Sequence, residues 1–356
     1  MPVRRGAAAC LLIVAMASGG ARAAETWHVP GSPIVITQPV VFTHAGATLR
    51  GTLYRPQSSR AVPAVVVLHG AEVGTADAAL YRHLRDGLPA IGIAVLVFDR
   101  RGSGKSTGSL SDVSYELLAD DAIAGARAIS KLPPIDPNRI GYWGLSQGGW
   151  LSVLAAKRDP RAAFAVAVSA PLVTPETQME FAMSNKLHVL GYGSGDVAAM
   201  IAARQAWTGY LRGQVPREQA VKALAAIDRK PWFDLMYMPS HAGLTTDPAT
   251  SSYRKEMDED PLATVSSVRV PLLLVFGGAD PWIPVATTLR RLKTLTPSHP
   301  NIAYAVVAGA NHDMAFDPHE AMAADAEALA AAAPQAPAYF MLLASWLERH
   351  AIADSP

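Results

Sequence analysis

Residues 144–148 read Gly-Leu-Ser-Gln-Gly, a G-x-S-x-G run between an apolar stretch at 139–143 and a helical pattern at 147–157. A serine on a strand-to-helix turn must take a strained backbone, and flanking glycines remove side chains that would collide with strand and helix. The turn lifts the Ser146 hydroxyl out at the carboxyl end of a sheet. The helix amino terminus behind it favours developing negative charge. In a chain with 27 glycines the five-residue pattern alone is weak, and its plain alternative is a harmless serine in a turn. The strand before it and the helix after it favour a nucleophile.

A hydroxyl needs a base at neutral pH, and the base needs an orienting acid. On this kind of turn they should follow in the order Ser, Asp or Glu, His, each in a loop after a later strand. Asp280 stands after the apolar run 270–276, 134 residues beyond Ser146, and His312 stands after the run 303–307, a further 32 residues on. Isolated Asp and His residues are more often caps or surface groups. Three in this order, each ending a strand, point to nucleophilic acyl transfer by Ser146, His312 and Asp280. The oxyanion of such a reaction needs backbone donors, each worth about 3 kcal/mol in the transition state. The candidates are the N–H groups of Gln147 and of Ala71 in the turn His69-Gly70-Ala71-Glu72-Val73-Gly74, with Glu72 as the alternative to Ala71 and a simple Gly-rich turn as the plain reading.

The elements that must hold these groups are legible as an alternation. Segments 34–43 and 48–54 predict a hairpin turning at Gly46. Segments 62–68, 93–98, 139–143, 164–168, 270–276 and 303–307 predict strands, with helices over 78–88, 115–132 and 147–157, from 285, and over 336–350. The Ala-rich stretch 321–333 is a good helix former. Strands alternating with helices at this pace require an α/β fold with a mostly parallel, doubly wound sheet. The rhythm breaks over 171–262, where helical spacing continues without a strong strand. The expected organisation is a leader at 1–23, a core at 24–170 and 263–356, and a helical cap insertion at 171–262 that could form a lid.

Taken together, these motifs resemble the α/β-hydrolases across residues 34–350. The match rests on His69-Gly70 after the third strand, D-R-R-G-S-G-K-S from Asp99, G-L-S-Q-G-G from Gly144, G-G-A-D-P-W-I-P from Gly277 and G-A-N-H-D from Gly309. The S-Q-G-G form resembles exported bacterial esterases and the catalytic domains of prolyl-oligopeptidase-type peptidases. The resemblance implies an acyl-enzyme mechanism in which Ser146 attacks, His312 shuttles the proton and Asp280 orients the imidazole. It implies no cofactor and no metal. The His-Gly turn lacks the second consecutive glycine of the H-G-G lipases, which argues against a lipase.

Composition narrows the partners. Half of the 356 residues are hydrophobic, enough for a sizeable core, and Lys plus Arg is 31 against 30 for Asp plus Glu. Without a basic excess to neutralise phosphates, nucleic acid is not an expected partner. Arg4 and Arg5, an apolar run of 12 residues at 7–18 and the small-x-small Ala21-Arg22-Ala23 read as a secretory signal cut after Ala23. As a helix that run rises about 18 Å, too short for a bilayer core of about 30 Å, so no stable membrane anchor is expected and the product should be periplasmic or secreted. Removing the leader takes Cys10, the one cysteine, with it, which excludes disulfides and a Cys-based zinc site. The loop from Asp99 lacks P-loop spacing and reads as structural. His312, Asp313, Asp317, His319 and Glu320 could suggest a metal cluster, but apart from the base they read as solvent-facing loop residues. Met and aromatic residues of the insertion, Met179, Phe181, Met183, Trp207, Tyr210, Trp232, Phe233, Met236, Tyr237 and Met238, should mostly pack its helices and in part meet an apolar substrate.

The expected substrate is a small-molecule ester or amide, and the expected activity a carboxylesterase. The alternatives are a peptidase or amidase, in which Glu176, Glu180 or Glu218 would bind an α-amine, a thioesterase, and a non-catalytic binder that keeps the fold.

Overall fold

Val62–Leu68 (β3) is buried along its whole length, as a strand covered on both faces must be. The computed structural model containing it describes residues 34–71, 74–110, 113–316 and 336–352. The expected leader, Glu72, Asp317, His319, Glu320 and the Ala-rich stretch lie outside the described residues. Around β3 stand β1 (Val35–His44), β2 (Ala47–Pro56), β4 (Ala94–Phe98), β5 (Ile135–Leu145), β6 (Ala165–Val168), β7 (Leu272–Gly277) and β8 (Ile302–Val307). They form one eight-stranded sheet in the order β1-β2-β4-β3-β5-β6-β7-β8. The hairpin β1–β2 is antiparallel, as is the β2–β4 pairing, and every pairing from β4 to β8 is parallel. The mostly parallel α/β sheet read from the alternation is the one observed.

Strand alternation sends side chains into two cores. Ala64, Val66 and Leu68 of β3 join a cluster with α2 (Tyr115–Ile129), α3 (Gln147–Arg158) and α9 (Val285–Leu295) on one face. Val65 and Val67 pack on the other face with α1 (Arg82–Ala90) and α10 (Pro337–Leu347). The region expected to be one helix from 78 begins as a 3-10 turn, Ala79–Tyr81, and becomes α1 from Arg82.

Between β6 and β7 run α4 (Pro175–Val189), α5 (Ser194–Leu211), α6 (Arg217–Ala225), α7 (Ser252–Glu256) and α8 (Pro261–Ser267). Met183, Met200, Trp207, Trp232 and Met236 belong to a third cluster, separate from the two sheet cores. The first of these helices is hooked to the core loop after β7: Gln178 Nε2 donates to the Trp282 carbonyl at 3.2 Å, and Asn185 Nδ2 to the Pro281 carbonyl at 3.0 Å. No helix among the described residues is long and apolar enough to cross a membrane.

The turn from β5 into α3 depends on close backbone approach. A Cβ on Gly148 would overlap the Leu68 carbonyl oxygen and the His69 main chain of the neighbouring strand end. Neither is a flexible side-chain tip that could yield. Gly148→Ala is therefore expected to destabilise the fold by about 3 kcal/mol, read as a lower urea midpoint at unchanged slope. A midpoint equal to wild type would show that the crowding is not real.

Candidate active site

Ser146 occupies the turn between β5 and α3 with φ 58° and ψ −123°, a backbone conformation that costs a non-glycine residue about 1–3 kcal/mol. Its N–H donates to the Val168 carbonyl of the neighbouring strand at 2.8 Å, so the sheet itself holds the turn. Gln147 is the first residue of α3, where a helix leaves N–H groups without intrahelical partners.

Asp280 follows β7 and His312 follows β8, and the two are joined by Nδ1 to Oδ2 at 2.8 Å. The other carboxylate oxygen of Asp280 accepts from the N–H groups of Trp282 at 2.8 Å and Ile283 at 3.2 Å, which fixes its plane. Because Oδ2 can only accept, the proton of the neutral imidazole sits on Nδ1 and leaves Nε2 as the acceptor. The main chain of His312 is pinned from below: Ser169, fully buried after β6, donates its hydroxyl to the His312 carbonyl at 2.6 Å. Sequence reasoning missed Ser169, whose φ of +49° has no signature in the residue types around it.

Ser146, Gln147, Ala71 and His312 line one cavity of about 280 Å³. Asp280 stands behind His312, its side chain fully buried. All five residues singled out from sequence thus gather at the carboxyl ends of the parallel strands. The cavity walls are largely apolar: Leu80, Trp150, Val173, Met179, Tyr237 and Trp282 contribute. Of the insertion residues expected to meet substrate, Met179 and Tyr237 do line the cavity, whereas Met183, Trp207, Trp232 and Met236 pack within the insertion.

Two expectations about charged groups are corrected. Asp313 is not solvent-facing: it is buried and lines the cavity beside His312. The cause is a tight turn in which Asn311 Oδ1 accepts from the N–H groups of Asp313 and Ala315, at 3.1 and 2.9 Å, and folds the chain inward. Glu176 is not free to bind an amine. Its carboxylate accepts from Arg204 at 3.0 Å and from the Tyr253 hydroxyl at 2.7 Å, and it is absent from the cavity wall, where Glu259 appears instead.

The His-Gly turn and the loop from Asp99 are scaffolding around this cavity. His69 is pushed down to about 4 by burial and is neutral, so it donates Nε2–H to the Phe98 carbonyl at 2.5 Å and accepts from the Tyr81 hydroxyl at Nδ1. Asp99 accepts from the N–H groups of Ala76 and Lys105, both at 2.7 Å, and so clasps two loops together.

Burial works against the charged form of His312, but the charge and hydrogen bond of Asp280, helped by the charge of Asp313, outweigh it and hold its pKa above the ordinary 6.5. Burial pushes Asp313 up to about 6. A base must be unprotonated to work, so kcat/KM should fall on the acid side with a midpoint above 6.5. Asp313→Asn removes a negative neighbour, makes the imidazolium less favourable and should move that midpoint to lower pH. A pH–rate profile of the variant with its acid limb unmoved would dismiss the coupling.

A serine on a strained turn and an imidazole oriented by a carboxylate, at one largely apolar cavity, form an arrangement that can perform acyl transfer. The comparisons agree at the level of family. Over 289 residues the chain is 28% identical to the quorum-quenching protein AidA of Acinetobacter baumannii, covering 76% of this chain and 86% of that protein. It is 36% identical over 124 residues to a thiohydrolase of Arthrinium phaeospermum, covering 35% of this chain and 39% of the relative. The chain spans only about two fifths of the length of the first curated relatives it matches, 39% to 42%. Among solved structures, an esterase of Pyrococcus furiosus aligns with a TM-score of 0.56 at 17% identity, over 89% of this chain and 92% of that one. Proline iminopeptidase of Mycobacterium smegmatis aligns with a TM-score of 0.53 at 17% identity, over 88% and 99%. At these identities the two structures speak for the fold alone. The model of the family described as serine aminopeptidase S33 matches residues 59–319, well over half of the 356. With its parallel sheet, its strained turn and that match, the chain belongs to the S33 serine aminopeptidase family of α/β-hydrolases.

Proposed function

We propose that the protein is a serine hydrolase that cleaves carboxylic esters through an acyl-enzyme. The observation that carries this reading is the meeting, in one apolar cavity, of Ser146 on its strained turn and the 2.8 Å His312–Asp280 pair. In the reaction, Nε2 of His312 takes the Ser146 proton as Oγ attacks the ester carbonyl. The tetrahedral oxyanion is held by the N–H groups of Ala71 and Gln147. Its collapse breaks the bond to the leaving alkoxide, which takes the proton from His312. Water, deprotonated by His312, then attacks the acyl carbonyl; collapse of this second tetrahedral intermediate breaks the bond to Ser146 Oγ, which takes the proton back from His312 as the acid leaves. The helices of the insertion serve as a lid, and Met179 and Tyr237 from it offer the acyl group apolar contact. The Arg4–Arg5 pair, the apolar run and Ala21-Arg22-Ala23 support export of the mature chain.

An aminopeptidase is the second reading. Among the described residues, Glu259 and Asp313 line the cavity and no Lys or Arg does, a setting that suits a protonated amine. Similarity to a thiohydrolase supports acyl chemistry in general and leaves the leaving group open. A fluorophosphonate probe tests the common mechanism: labelling should occur at Ser146 alone, mapped by peptide mass spectrometry. Parallel p-nitrophenyl ester, aminoacyl-anilide and acyl thioester substrates then separate the readings. Label on another residue, or none, ends the serine mechanism, and anilide turnover exceeding ester turnover makes the enzyme an aminopeptidase.

A further inference from the structure

The oxyanion donors come from turns 76 residues apart in sequence, Ala71 after β3 and Gln147 at the start of α3. Their spacing decides how well one oxygen can be held, since stabilisation of this kind depends on donors already fixed at hydrogen-bond distance. One side chain touches both turns. The guanidinium of Arg100, in the loop after β4, donates through Nη2 to the Gln147 side-chain oxygen at 2.5 Å and through Nη1 to the Ala71 carbonyl at 3.3 Å. Arg100 is itself held, because it is buried at 7% exposure and its N–H donates to the Gly74 carbonyl at 2.8 Å. A planar fork with two donors can set the separation of two acceptors in a way that a flexible ammonium cannot.

We propose that Arg100 is a positioning residue that holds the two halves of the oxyanion hole in register. This rests on the serine-hydrolase reading of the same cavity. In this role Arg100 acts through Ala71 and Gln147, and it is not among the described residues that line the cavity. Its neighbour in the same motif does different work: Arg101 forms a two-point pair with Asp121 at 2.6 and 2.7 Å and fastens the loop to α2. The motif thus divides into one arginine that anchors the loop and one that reaches the site.

The test compares an oxoester with the matching thionoester in wild type, Arg100→Met, Arg100→Lys and Gln147→Ala. Sulfur in place of the carbonyl oxygen is a larger and weaker acceptor, so the thionoester draws little on the hole. Arg100→Met is expected to lower kcat for the oxoester about 10- to 100-fold with KM within about threefold, a loss somewhat smaller than removal of a donor outright. Arg100→Lys keeps the charge and loses the fork, and should fall between. The ratio of oxoester to thionoester kcat should shrink in step with the loss. General loosening of the fold would lower both substrates equally, and an unchanged ratio overturns the proposal. Should Arg100→Met not fold, Gln147→Ala decides: it keeps the backbone donor, removes the acceptor of Nη2, and should shrink the same ratio. Fluorophosphonate labelling of the wild-type chain keeps the two questions apart. A labelled Ser146 with a ratio insensitive to these changes sinks the role of Arg100 alone, whereas an unlabelled wild type sinks the underlying reading and this role with it.

Discussion

Ser146→Ala is expected to lower ester kcat by about 10⁴-fold or more while the denaturation midpoint stays near that of wild type. The two halves of this expectation have separate causes. Activity falls because the variant lacks the Oγ that the proposed mechanism uses to attack the ester carbonyl. Stability holds because alanine inherits the same backbone, φ 58° and ψ −123°, with the same strain. Ser146→Gly should behave differently. Glycine adopts such a conformation freely, so relief of about 1–3 kcal/mol of strain stands against about 0.5–1 kcal/mol of extra chain entropy lost on folding. The glycine variant should therefore be as inactive as the alanine variant and more stable by about 1 kcal/mol. Paired urea titrations and p-nitrophenyl ester assays measure both quantities. Turnover above about one part in a hundred in Ser146→Ala, with contaminating esterase excluded, would remove Ser146 from the reaction.

Why the turn was legible and other features were not comes down to what each residue needs locally. β3 was expected at 62–68 and is observed as Val62–Leu68, because a β-branched run buried on both faces has few other uses. The motif around Ser146 carries its own sterics: a Cβ on Gly144 would meet the Gly148 main chain across the turn, a Cβ on Gly148 would meet the Leu68 carbonyl one strand away, and the glycine spacing records both contacts. β5 was expected over 139–143 and spans Ile135–Leu145, since its polar start pairs with the head of β3, Val62 with Ile135, and pairing partners are not written in local pattern. Asp313 was misjudged for a related reason. An acidic residue in a polar loop reads as solvated, and only the backbone fold around Asn311 turns it inward. Glu176 likewise reads as free until Arg204, 28 residues later, is found against it. Side-chain direction and long-range pairing are tertiary facts, and a one-dimensional pattern reports them only when sterics force a glycine or a run of apolar residues.

Asp280→Asn should cost about as much as loss of the nucleophile, roughly 10⁴-fold in kcat, although it changes one atom. The geometry says why. In wild type one oxygen of Asp280 receives the N–H groups of Trp282 and Ile283, and the other receives Nδ1–H of His312. An asparagine must satisfy the same two backbone donors, so its carbonyl oxygen takes their side and its NH₂ turns toward the imidazole. Nδ1 must then accept, the ring proton moves to Nε2, and the nitrogen proposed to take the Ser146 proton becomes a donor that cannot remove one. The lost carboxylate charge also makes the imidazolium less favourable, which lowers the His312 pKa and moves any residual acid limb to lower pH. Steady-state kinetics give the size of the loss, and nitrogen-15 shifts of the His312 ring report which nitrogen carries the proton. Fluorophosphonate labelling of Ser146 should slow in parallel, because it needs the same proton transfer. An Asp280→Asn variant within tenfold of wild type, with the proton still on Nδ1, would mean that Asp280 holds the loop and leaves the chemistry to another acid.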